Sequence, residues 1–150
     1  MASRAYSISG ADLNTATTTI LGLTSAATIR PEVYMLIISS YDAPLDQTAR
    51  YQLKRYTAAG TSTGVTPQLL DPNSGAALAS AGKVHTVEPT YTSNAELLDL
   101  SVYQRVTYRW EASPERELIL PSTAANGLGF RSESISNAAF NVNATIHYAE

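Results

Sequence analysis

Apolar and polar side chains alternate along much of this chain with a period of two, most regularly near its C-terminal end. Phe140, Val142, Ala144, Ile146 and Tyr148 alternate with Asn141, Asn143, Thr145 and His147. An extended backbone sends those two sets to opposite faces, so the segment predicts a half-buried strand. Val106, Tyr108, Trp110 and Ala112 alternate in the same way with Arg105, Thr107, Arg109 and Glu111, and Ala49, Tyr51 and Leu53 with Arg50, Gln52 and Lys54. Glu32 to Tyr41 is nearly continuous in apolar residues, as expected of a central strand buried on both faces. Thr17–Leu23, Val84–Thr92, Leu97–Tyr103, Glu117–Leu120 and Gly129–Ser132 complete a set of about eight or nine strands. Pro89 places a bend or an edge in its segment.

Turn signals punctuate these runs at Asp42-Ala43-Pro44, Gly60 to Gly64, Ser113-Pro114-Glu115 and Asn126-Gly127. Short strands separated by such punctuation predict an all-β, antiparallel β-sandwich or barrel. One segment reads as helical. Asp71 suits an N-cap, Pro72 the first helical position and Gly82 the close, so Ser74 to Ala81 predicts one short helix inside a long loop from Ala58 to Gly82. Residues 1–14 read as an N-terminal arm, ordered if a neighbour or an added strand holds it. Residues 15–150 read as a single sandwich domain.

Composition narrows the chemistry. The 150 residues include no cysteine, which removes disulfides and thiolate–metal sites, and a net charge of −3 offers no basic field for nucleic acid or anionic lipid. The N-terminus lacks the apolar core of a secretory signal, and the longest apolar run, Val33 to Ile38, is too short to span a bilayer. Burying roughly 70% of the unfolded chain's surface is expected at this length, enough for a core without staples.

Catalytic motifs fail on context. Gly60-Thr61-Ser62-Thr63-Gly64 matches the nucleophile elbow G-x-S-x-G, but Val65-Thr66-Pro67 does not begin the helix that an elbow requires, and a flexible loop is the simpler expectation. The two histidines, His85 and His147, have no acidic or histidine neighbour at ligand spacing. Gly75 and Gly82-Lys83 are spaced too widely for a phosphate loop, and Val84 stands where Ser or Thr is needed. Asp71 to Gly75 opens like a calcium loop but lacks the closing Glu, with Gly82 in its place. The carboxylate pairs Glu96/Asp99 and Glu115/Glu117 border strands or a turn, where solvation keeps both acids ionised. The Asn143-Ala144-Thr145 sequon matters only for a protein secreted from a eukaryote. The expectation is a chain with no catalytic residue, no metal and no cofactor.

Aromatic and arginine residues point instead to protein contact. Tyr51, Tyr56, Tyr103, Tyr108 and Trp110 lie among Arg50, Arg55, Arg105 and Arg109, and Tyr, Trp and Arg are the types that interfaces favour at their energetic centres. Arg4, Tyr6, Arg55, Tyr56, Tyr103 and Arg105 are the candidate interface residues. An aromatic platform of this kind would also suit a sugar ring, so a trimeric tail-fibre or carbohydrate-binding module is the alternative.

Arg55 to Pro67, running on through Leu70-Asp71-Pro72, together with Tyr108 to Ala112, Leu120-Pro121 and Ala124 to Gly127, resembles a family of small proteins encoded by tailed phages and prophages. The resemblance spans roughly residues 30 to 149. It implies a jelly-roll type of sandwich and a role as a capsid decoration, or cement, protein. Such a protein is made in the bacterial cytoplasm and sits on the outer surface of the virion. Its implied partners are the major capsid protein and two further copies of itself in a homotrimer, with no nucleic acid, membrane or small-molecule substrate.

Overall fold

A computed structural model describes residues 3–15, 17–134 and 139–150. Twelve strands follow in chain order: β1 (Ala5–Asn14), β2 (Thr19–Thr24), β3 (Glu32–Tyr41), β4 (Thr48–Ala58), β5 (Thr61–Val65), β6 (Gln68–Leu69), β7 (Ser80–Val87), β8 (Thr90–Tyr103), β9 (Tyr108–Glu111), β10 (Leu118–Ile119), β11 (Gly127–Ser134) and β12 (Phe140–Ala149). All pairings are antiparallel. The first sheet runs β10-β3-β12-β1-β6, with β9 also on β3, and the second runs β5-β7-β2-β11-β4-β8.

Period-two alternation accounts for how the sheets close on one another. Tyr6 and Ile8 of β1, Leu36 and Ile38 of β3, and Val142, Ile146 and Tyr148 of β12 turn inward from the first sheet. They meet Leu21, Leu23, Tyr51, Leu53, Leu128 and Phe130 of the second sheet in one apolar cluster. Two aromatic stacks brace it: Tyr6 on Tyr148 with centroids 5.4 Å apart, and Tyr51 on Phe130 at 5.1 Å. Each such pair adds roughly 0.5–1.5 kcal/mol beyond the area it buries.

Several expectations are corrected by the structure. The arm expected over residues 1–14 is, from Ala5 onward, strand β1, paired residue for residue with β12 from Ala5↔Ala149 to Asn14↔Phe140; residues 1 and 2 lie outside the described residues. The loop from Ala58 to Gly82 contains β5 and β6, so strands outnumber the eight or nine expected. Glu32–Tyr41 is β3, but it buries alternate residues for most of its length instead of both faces. Val106 is not in a strand: its N–H bonds the Tyr103 carbonyl at 3.1 Å in a turn, and β9 begins two residues later.

The expected helix over Ser74–Ala81 is also absent, and no helix occurs among the described residues. Asp71 does cap, but it caps a turn: its carboxylate accepts from Asn73 N at 3.0 Å and its carbonyl from Ser74 N at 3.0 Å. Leu78 and Ala79 then donate their N–H groups to the Glu150 carboxylate at 2.6 and 3.1 Å, and Ser80 begins pairing with Thr24. An eight-residue helix is marginal in water on its own, so tertiary partners for those N–H groups decide the conformation.

Gly127 marks where the second sheet tolerates no side chain. A β-carbon there would lie 2.2 Å from the Leu23 carbonyl oxygen and 2.4 Å from the Tyr56 ring, whereas one at Gly64 would meet nothing within 4 Å. Gly127→Ala is therefore expected to cost at least about 2 kcal/mol, since a backbone oxygen cannot step aside, and Gly64→Ala to stay within about 1 kcal/mol of the parent. Urea unfolding of the two variants checks the contrast.

Candidate functional site

The outward faces of the two sheets are built from opposite kinds of residue. On the first sheet, register lines up the outward side chains of β1, β12, β3 and β9 in rows. Leu13, Asn141 and Tyr41 form one row, and Ala11, Asn143 and Ser39 the next. Ser9, Thr145, Ile37 and Arg109 follow, then Ser7, His147, Met35 and Glu111. Within these four rows β1, β12 and β3 carry no charged residue, and Arg109 and Glu111 on the β9 margin bond each other at 2.8 Å. Glu32 of β3, in register with Ala149 and Ala5, lies on the same face beyond the last row, and Asp42 accepts from Asn141 Nδ2 at 2.6 Å at the other end. Ser9 and Thr145 share a hydroxyl–hydroxyl bond of 2.9 Å, and Leu13 and Tyr41 stand 46% and 41% exposed at one end.

His147 keeps the grid neutral. Its ring lies edge-on to Tyr34 at 6.1 Å, and burial, then the nearby positive charge of Arg109, holds its pKa below the ordinary 6.5.

The outward face of the second sheet carries ion pairs. Arg50 reaches Asp99 through Nε at 2.9 Å, Gln52 adds a bond to the same carboxylate at 3.0 Å, and Lys54 meets Glu96 at 2.7 Å. The Arg50 guanidinium, then the Gln52 amide, hold the Asp99 carboxyl down to about 2. Arg131 pairs with Glu133 at 2.8 Å and lies over the Tyr91 ring, 4.7 Å from its centroid.

Beyond the ions, the same face ends in a bonded cluster. Both Glu88 oxygens accept from Thr19 N at 3.2 Å, and the Thr19 hydroxyl bonds Glu88 and Tyr91. His85 Nδ1 lies 3.1 Å from the Thr19 carbonyl oxygen, a bond that requires the proton on Nδ1. Val84 has a φ of +50°, a strained setting for a β-branched residue. It breaks the alternation of β7, so Lys83 lies against Gly10 on the inner side while His85 lies over Gly22 on the outer side.

The residues singled out from the sequence are scattered. Tyr6 and Tyr56 are buried at 0% and 2% exposure: Tyr6 packs in the core, and Tyr56 bonds Thr24 at 2.7 Å with Tyr91 edge-on to its ring. As folded, neither offers a surface. Tyr103 and Arg105 lie together at the end of β8, where Arg105 pairs with Asp46 at 3.0 Å. Arg55 is half-buried on β4, and Arg4 is exposed with its guanidinium against Gly75. Arg4 also borders a cleft of about 390 Å³ with Arg30, Glu32, Leu78 and Glu150. Sequence reasoning looked for aromatic and arginine residues and so passed over the grid, whose signal was the uncharged polar set of the β12 alternation.

Ser62 of the G-x-S-x-G match stands on strand β5, not in the loop expected, with its side chain against Gly82 of β7. Trp110 faces inward from β9 and packs half-buried against the core. No group of three His, Cys, Asp or Glu able to hold a metal occurs among the described residues. No family model, curated protein or solved structure matches this chain.

Both histidines have folded pKa values below the ordinary 6.5, burial being the first cause in each. The unfolded chain then binds more protons than the folded one as pH falls through that value, so stability drops with decreasing pH. The urea midpoint should fall between pH 7.5 and pH 5, and a His85→Gln/His147→Gln variant should show a flatter profile across that window.

Proposed function

We propose that this chain is a structural protein of a tailed-phage virion, a decoration (cement) protein that binds the outer capsid surface as a homotrimer and stabilises the shell of major capsid protein. The observation that carries the reading is the four uncharged rows, from Leu13–Asn141–Tyr41 to Ser7–His147–Met35, on the outward face of β1, β12 and β3, set against an opposite face laced with ion pairs. Depletion of charge is the compositional mark of the centre of a protein–protein contact. Attachment through several modest contacts at once gives high avidity without any one strong site, which suits a trimeric clamp.

Strand order supports a jelly roll. With the short or inserted strands β5, β6, β7 and β10 set aside, β1-β12-β3-β9 faces β2-β11-β4-β8. Two interlocked Greek keys in an eight-stranded sandwich would give that order. The resemblance of Arg55–Pro67 and Tyr108–Ala112 to segments of small phage proteins implies the same role. The alternative of a carbohydrate-binding module needs an exposed aromatic platform, and Trp110 is not placed to supply one.

Purified particles of the source phage should contain this chain at a fixed ratio to the major capsid protein, on the outer surface in electron micrographs. Its removal should lower the temperature at which particles burst. Particles lacking the chain altogether would overturn the reading.

A further inference from the structure

We propose that the cleft beside Arg4 and Glu150 binds a small organic acid, a carboxylate carried on a short apolar group. The site is separate from the uncharged rows, and the proposal does not rest on the virion reading.

The cleft forms where β1 and β12 come together at one end of the first sheet. Arg4 N–H donates to the Glu150 carbonyl at 3.0 Å, and Glu150 N–H to the Arg4 carbonyl at 2.9 Å. The segment entering β3 adds Ile29, Arg30 and Glu32 to the wall, and the insertion before β7 adds Leu78. The space they enclose is about 390 Å³. Small-molecule sites span roughly 300–1,000 Å³, so this one lies at the small end of that range.

Its lining has an apolar part and a cationic part. Ile29 packs against the core, and Leu78, at 59% exposure, is the most exposed large apolar side chain among the described residues. An apolar group laid on Leu78 and Ile29 removes both surfaces from water. Arg4 and Arg30 supply the charge. Among the described residues neither forms an ion pair, whereas Arg50, Arg105, Arg109 and Arg131 each meet an acid. A guanidinium presents a planar fork of donors that matches a carboxylate, and here two such forks border one apolar floor.

Two carboxylates share the cleft, and they differ in how they are held. Glu150 accepts from Leu78 N and Ala79 N at 2.6 and 3.1 Å, so backbone donors engage both of its oxygens. Glu32 forms no ion pair among the described residues and is the like charge that an incoming acid must meet. Its removal should therefore help the ligand and not harm it.

Backbone bonding around the cleft favours a free acid over a peptide. Arg4 and Glu150 bond each other, and Leu78 and Ala79 give their N–H groups to Glu150. Ile29 N–H bonds the Ala26 carbonyl at 3.4 Å, and its own carbonyl accepts from Ser25 Oγ at 3.1 Å. Glu32 lies in the ladder between Ile119 and Ala149. A peptide would bring amides that find no backbone partner here, and unmet amides weaken binding. An apolar acid brings only the two kinds of group that the wall can meet.

Titrating isocaproate into the full chain labelled for amide NMR tests the site. Saturable shifts are expected at the amides of Ile29, Leu78, Ala79 and Ala149, with a dissociation constant of about 1 mM. Isocaproamide keeps the shape without the charge, acetate keeps the charge without the apolar group, and each should bind about tenfold more weakly or worse. Arg4→Gln and Arg30→Gln should each weaken isocaproate about tenfold, and Leu78→Ser about fivefold. These three positions are exposed, so far-UV circular dichroism should stay unchanged. Glu32→Gln should tighten binding about threefold.

No saturable shift at these amides would overturn the proposal, and so would equal binding of isocaproate and isocaproamide. Full affinity in the double variant Arg4→Gln/Arg30→Gln would remove the arginines from the site and the proposal with them. Tighter binding of N-acetyl-leucine than of isocaproate would replace the free acid with the carboxyl end of a peptide. Failure on any of these counts leaves the virion reading standing, and particles lacking the chain would leave the cleft's affinity unchanged.

Discussion

The fold depends on the pairing of its two ends. β1 and β12 run antiparallel over ten residues in the middle of the first sheet, and every other strand of that sheet is added to one side or the other of this pair. The pairing continues past the strands, where Arg4 and Glu150 exchange backbone hydrogen bonds of 3.0 and 2.9 Å. Tyr6 and Tyr148 sit opposite one another in that register and stack within the core. Contacts between residues so far apart in sequence cost chain entropy before they return any burial, so this topology folds slowly by comparison with local ones.

Consequences spread outward from that pair. Glu150, brought back beside Arg4, reaches the N–H groups of Leu78 and Ala79 and turns the inserted segment into the start of β7. β7 then pairs with β2 and carries β5 on its other edge. The Tyr6 hydroxyl donates to the Gly75 carbonyl at 2.8 Å, fastening the same insertion from the core side. A segment with local helix signals is thus held in an irregular path that leads into β7, by groups contributed from Tyr6 and Glu150.

The two outward faces differ in chemistry. Ion pairs and the Thr19–Glu88–Tyr91 cluster give the second sheet a surface suited to water, with hydrogen-bonded order at one end. Uncharged residues fill four rows of the first sheet's outward face. Surface ion pairs such as Lys54–Glu96 add little stability each, about 0–1 kcal/mol.

Much of the sandwich was legible in the residues themselves. Phe140 to Tyr148 alternates in sequence as it does in burial, Glu32 and Tyr41 bound β3 as expected, and Pro89 sits at the break between β7 and β8. Period two is a local property of the backbone, so where it is strong, as over Phe140–Tyr148, the sequence by itself marks a strand and the side chains that go inward. Partner choice is not local. That residues 5–14 form a central strand, that Ser74–Ala81 forgoes its helix, and that Tyr6 and Tyr56 are buried instead of displayed all follow from contacts with distant segments. The neutral face is assembled the same way. β12 supplied part of its pattern in plain sight, but only the register with β1 and β3 placed Ala11, Asn143 and Ser39 side by side, because a face belongs to strands that the chain brings together from far apart.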